Sequence, residues 1–144
     1  MVPTGVLSND ASIKQKTSDF LAYVLSHQDP TGWLGPEVNT TNVRYLWGRS
    51  VNQSLKLVAS CRNLLSSRYP FFFGATQMVE SDPSLASQVI PAMYKFITLA
   101  NSMLKTGQGL EPWTEARWQE FAITLQWFVY ALASWSTTLV DEPF

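Results

Sequence analysis

Between Asp82-Pro83 and Gly107-Gln108-Gly109 the chain places Val89, Ile90, Met93, Phe96, Ile97, Ala100, Met103 and Leu104 three or four positions apart. A helix gathers such a set on one side, because a turn takes 3.6 residues, whereas a strand alternates with a period of two. Asp82 suits an N-cap, and Pro83 suits a first helical position, where no N–H is needed. The spacing therefore predicts a helix over about 83–105, ended by the glycines that follow. Pro91 removes one backbone donor inside it and predicts a kink or a split into two helices.

Three other stretches read the same way. From Asp10 to about Gln28, Phe20, Leu21, Val24 and Leu25 form an apolar stripe, and Asp29-Pro30-Thr31-Gly32 is a turn signal that stops it. Tyr69-Pro70 opens an apolar run, Phe71-Phe72-Phe73-Gly74-Ala75 to Val79, that predicts a helix over about 70–80. From Pro112 or Trp113 to about Ser134, Trp118, Phe121, Ala122, Leu125, Phe128, Val129 and Leu132 recur at helical spacing, with Glu115 favourably placed in the first turn. Residues 29–48, rich in Gly, Pro, Asn and Thr, read as a loop. Residues 50–67 have helical spacing in Leu55, Val58, Cys61 and Leu65, yet they contain five serines and no acidic residue. No alternating strand pattern stands out. The expected fold class is all-α, four or five helices joined by short loops.

Composition narrows the function classes. A chain of 144 residues suits one domain. Its 15% charged residues exclude a disordered polyelectrolyte. Ten basic and eleven acidic residues, with no clustered basic face, give no expectation of nucleic-acid binding. The lone Cys61 makes neither an internal disulfide nor a multi-cysteine zinc site. No apolar run approaches the ~20 residues of a membrane span. Residues 1–8 lack the basic start and apolar run of an export signal, so the sequons at Asn39 and Asn52 are not expected to be used. The compartment stays open.

Few residues offer chemistry. Gly32 and Gly35 do not have dinucleotide-loop spacing. His27, the single histidine, reads as a helix-end residue, and Cys61 as packing. Asp29, Glu37, Glu111 and Glu115 are the carboxylates that could work in pairs on a glycosidic bond, or serve as solvated and dipole-facing acids. Six tryptophans stand out. Trp118 and Trp127 fall on or near a helical stripe and read as core. Trp33, Trp47 and Trp113 fall in loops or at helix starts. There they are either flat platforms for a sugar ring, with polar neighbours for its hydroxyls, or loop anchors set into the core.

Two segments carry a resemblance. One is Tyr23-Val24-Leu25-Ser26-His27-Gln28-Asp29-Pro30-Thr31-Gly32-Trp33-Leu34-Gly35-Pro36-Glu37. The other is Arg68-Tyr69-Pro70-Phe71-Phe72-Phe73-Gly74 with Gln77-Met78-Val79-Glu80-Ser81-Asp82-Pro83. Together with Ile90-Pro91-Ala92-Met93-Tyr94-Lys95-Phe96, Gly109-Leu110-Glu111-Pro112-Trp113 and the stretch from Arg117-Trp118 to Trp127, they resemble the family 127 glycoside hydrolases and their β-L-arabinofuranosidase-like relatives. The resemblance implies an (α/α) barrel, a ring of paired helices whose cleft lies at one end among inter-helix loops. Residues 1–144 would be a single N-terminal fragment of that barrel, an arc of two to three helical hairpins. Residues 29–49 and 68–70 would form part of the cleft wall, with Trp33, Glu37, Trp47, Arg68 and Tyr69 nearest a saccharide. Trp33 would stack on the sugar, and Glu37 and Arg68 would hydrogen-bond its hydroxyls.

The implied function is that of a glycoside hydrolase-like domain in carbohydrate metabolism. In the intact relative it would hydrolyse O-glycosidic bonds, such as those of L-arabinofuranosides. The fragment would be inactive alone, because the family's cysteine nucleophile and zinc ligands have no counterpart here. No cofactor or metal is expected in it. A non-catalytic carbohydrate-binding remnant and a helical protein-interaction module are the alternatives.

The pattern is interrupted once. In relatives the Trp-Gly-Arg after the loop runs straight into Tyr-Pro-Phe, whereas here residues 50–67 separate Trp47-Gly48-Arg49 from Tyr69-Pro70-Phe71. They read as a foreign insert of translated-intron type, and residues 128–144 read as a divergent tail. Sequencing the transcript should yield a message without the codons for 50–67; a mature message that retains them contradicts the insert.

Overall fold

Asp10 starts the first helix as its composition suggests: the carboxylate accepts from the Ser12 and Ile13 amides at 2.8 and 3.4 Å. The computed structural model describes residues 10–35, 44, 46, 68–110 and 114–138, without the side chains of 68, 114–117 and 135–138. Helix α1 is Ala11–Ser26, α2 is Arg68–Ser81, α3 is Ala86–Lys105 and α4 is Thr114–Thr138. A 3-10 turn, Pro83–Leu85, capped by Asp82, leads into α3. Among the described residues there is no strand, and the fold is all-α. Residues 1–9, 36–43, 45, 47–67, 111–113 and 139–144, including Glu37, Trp47, Cys61, Trp113 and the whole of the expected insert, lie outside the described residues.

Helix α2 is the central element. Phe72, Gly74, Ala75, Thr76, Met78 and Val79 are buried around most of its circumference, as a run of consecutive apolar residues requires. It packs against α3 and α4, and α1 packs on α3. Ring contacts set the directions. Phe72 near the start of α2 meets Phe96 of α3 at 5.0 Å, Tyr69 meets Phe121 of α4 at 6.0 Å, and Tyr94 of α3 stacks on Phe128 at 6.3 Å. Helices α2, α3 and α4 therefore run alternately down, up and down. The α1–α2 and α3–α4 connections leave from the same end.

The stripe on α3 matches its expectation: Val89, Met93, Phe96, Ala100 and Met103 are buried. Each large one contributes about 1.5–3 kcal/mol by leaving water. Pro91 does not split the helix, which is continuous over Ala86–Lys105. It lies on the exposed side near the helix start, so the carbonyl it leaves without an amide faces water.

Helix α4 departs from expectation in two ways. It runs on to Thr138, past the end expected near Ser134. Its buried residues are Phe121, Thr124, Phe128 and Ala131, while Trp118, expected in the core, is 56% exposed, with Val129 and Leu132 also exposed. Both sets have helical spacing, so periodicity alone could not choose between them. The rings of Phe121 and Phe128 reach Tyr69 and Tyr94 and turn their set inward.

Two glycines separate backbone conformation from packing. Gly32 has φ +98°, and a Cβ there would stand 2.7 Å from the Lys95 carbonyl carbon of α3. Gly107 has φ +68° with open space around it. Gly107→Ala should cost roughly 1–2 kcal/mol for left-handed backbone alone. Gly32→Ala should cost about 2–5 kcal/mol, because strain and overlap add. Urea midpoints at unchanged slope measure both; equal losses would contradict the close approach of the loop to α3.

Candidate functional site

The segment after α1 is built from the turn its sequence announces. The Gly32 amide donates to the Asp29 carbonyl at 2.8 Å, with proline second and glycine fourth in the turn. The Thr31 amide donates to Asp29 Oδ1 at 2.9 Å, and the Thr31 hydroxyl donates to the same oxygen. Gln28, at the end of α1, ties the turn to α3: its side-chain amide donates to the carbonyls of Gly32 and Ala92, both at 2.9 Å. The Trp33 indole then descends into the core, 2% exposed, with its ring 6.3 Å from Phe96.

Arg44 closes this unit. Its guanidinium lies 5.2 Å from the Trp33 ring centroid, a cation–π arrangement. It also donates to Asp29 Oδ2 and to Thr31 Oγ1, each at 3.3 Å. Two residues on, the Leu46 amide donates to the Gly109 carbonyl at 2.9 Å. Arg44 and Leu46 thereby join the connection that follows α1 to the one that follows α3.

The expected cleft-wall residues divide. Trp33 and Tyr69 are brought into one core, linked through Phe96 and Phe72, and neither presents an open ring face: Tyr69 is 0% exposed. Of the two readings open for loop aromatics, core anchor describes Trp33 as it stands, and the expectation of a stacking platform there does not fit this burial. Arg68 begins α2 at the same end of the helices. Glu37 and Trp47 lie outside the described residues. His27 ends α1, with Nδ1 2.8 Å from the Tyr23 carbonyl and its ring 4.2 Å from the Tyr23 ring. Among the described residues no group of three or more His, Cys, Asp or Glu side chains is placed to hold a metal, and no helix is long and apolar enough to cross a membrane.

Asp29 is the one candidate acid whose chemistry can be read. The Thr31 hydroxyl and then the Thr31 amide hold its carboxyl below the ordinary 3.8; partial desolvation opposes them, and Arg44 adds to the lowering. Such a group stays ionised and already accepts hydrogen bonds on both oxygens, which suits a loop anchor and not a general acid. At the opposite end of the helices, a groove of about 530 Å³ lies between the start of α1 and the 3-10 turn, with Lys14, Ser18 and Ser81 on its rims and Met78 and Leu85 among its apolar residues. Asp82 borders it, but its carboxylate is engaged by the Ser84 amide and hydroxyl.

Sequence reasoning did not single out Arg44 or Gln28. Opposite charges fifteen positions apart in a loop are too common a pattern to mark a pair, and a glutamine at a helix end carries no spacing signal.

No family model, curated protein or solved structure matches this chain.

The lowered Asp29 pKa sets a pH dependence. The stabilisation it brings is complete above the unfolded value, near 3.8, and is lost as pH falls through the lower folded value. Asp29→Asn should therefore be less stable than the parent at pH 6, and the gap should shrink below pH ~4. Urea unfolding at both pH values reads this, and a gap that stays constant contradicts an ionised anchor.

Proposed function

We propose that this chain is an arc of a larger (α/α) ring in a carbohydrate-active protein similar to the family 127 glycoside hydrolases, and that it supplies part of the wall of a saccharide cleft. One observation supports this reading most: the connections after α1 and after α3 are joined through Arg44 and Leu46 at the end of the helices where α2 begins. Inter-helix loops meeting at one end are what a ring needs to line its mouth. Hydrolysis of the O-glycosidic bond, with L-arabinofuranosides as the substrate class, belongs to the intact ring. This arc binds without turnover.

Burial gives Trp33 and Tyr69 a supporting role in the wall. Trp47 offers the stacking ring, and Glu37 and Arg68 take sugar hydroxyls, all three on the strength of their sequence positions. A helical interaction module is the second reading, and the outward apolar residues of α4 favour it.

Titration with methyl β-L-arabinofuranoside, followed by tryptophan fluorescence, tests the first reading. A saturable change is expected, lost in Trp47→Ala and kept in Trp33→Phe, with no release of methanol. A flat titration in a folded sample overturns saccharide binding, and turnover overturns the inactive arc.

A further inference from the structure

Helix α1 is held unevenly along its length. Only Thr17 and Leu21 are buried in it, and Val24 and Leu25 are half-buried against the core. Its side-chain hydrogen bonds stay inside the helix. Gln15 donates to Asp19 at 2.7 Å, the Thr17 hydroxyl to the Ile13 carbonyl at 2.8 Å, and the Ser26 hydroxyl to the Tyr23 carbonyl at 2.8 Å. Among the described residues none of its charged side chains forms an ion pair with another element. Its first two turns stand across the groove of about 530 Å³ from the 3-10 turn. The opposite end is fixed: just past it, Gln28 donates to the Ala92 carbonyl at 2.9 Å, and Trp33 is buried.

The ring contacts that hold the other three helices together do not pass through α1. Phe72 packs on Phe96, Tyr69 on Phe121 and Tyr94 on Phe128, so α2, α3 and α4 hold one another. The ring contact of α1 with α2, Phe20 against Phe71 at 6.3 Å, lies at the surface, with Phe20 exposed. Once off α3, α1 is a lone helix of 16 residues. Isolated helices near the ~12–15-residue range are marginal in water, so leaving α3 and melting become one event.

We propose that α1 is a strap that comes away from α3 and melts as a unit while α2, α3 and α4 stay packed, with the turn at 28–33 as its fixed end. The opened form keeps Gln28 on Ala92 and Trp33 against Phe96, and gives up the contacts of Leu21, Val24 and Leu25. Little buried apolar surface and no cross-element hydrogen bond along the helix are what a low-stability unit needs. The seam between α1 and α3 is therefore where this bundle parts first. The inference rests on packing and not on saccharide binding.

Native-state hydrogen exchange of the full chain, read by mass spectrometry at rising sub-denaturing urea, tests it. Peptides within 14–26 should be protected at least tenfold less than peptides within 89–103. Their exchange should also depend less steeply on urea, because opening α1 exposes less surface than global unfolding. Two variants separate a strap from uniform fraying. Leu21→Ala should speed both helices by the same factor, since it weakens the closed form relative to the opened and the unfolded forms alike. Phe128→Leu should speed α3 and leave α1 unchanged, because the contact with Tyr94 survives opening. If Phe128→Leu does not fold, Ala131→Gly on the same buried stripe replaces it with the same expected pattern. Equal protection and equal urea slopes in the two helices, or a core variant that speeds α1 as much as α3, would each overturn the proposal.

Discussion

The arrangement depends on the burial of one indole. Trp33 leaves a turn that could otherwise lie on the surface and packs against Phe96, and from there ring contacts pass through Phe72 and Tyr69 to Phe121. Four separate pieces of chain, the loop, α3, α2 and α4, are held in register by one row of aromatic rings. The contact is possible because Gly32 has no side chain and lets the loop touch the α3 backbone at Lys95. Arg44 covers the indole and hydrogen-bonds the turn beneath it.

That burial bears directly on function. An aromatic side chain can support a loop from inside or present a face to a ligand, and full burial commits Trp33 and Tyr69 to support. The turn at 29–33 is thereby anchored on α3. Asp29 follows the same logic: the hydrogen bonds that keep it ionised also hold the turn closed.

Helix positions were legible wherever punctuation and periodicity agreed. Asp10 caps α1, Asp82-Pro83 opens the 3-10 turn before α3, and the buried stripe of α3 is the one its spacing announces. Helix α4 was less legible. With apolar residues on several sides it satisfies more than one helical stripe, and Trp118 belongs to the stripe that its neighbours leave outside. At the candidate site, the turn at Asp29-Pro30-Thr31-Gly32 was plain from residue type. The reach of Gln28 to Ala92 and of Arg44 to Asp29 was not, since these join residues far apart in sequence through long, flexible side chains.

The sequence by itself determined that this chain is helical and where its described helices begin, because capping, proline placement and the 3.6-residue turn act over a few neighbouring residues. Only the tertiary structure decided which aromatic residues are buried, which seam of α4 faces the core, and that two distant loops join through Arg44 and Leu46. Those outcomes depend on which surfaces meet, and a local pattern carries no record of what packs against it.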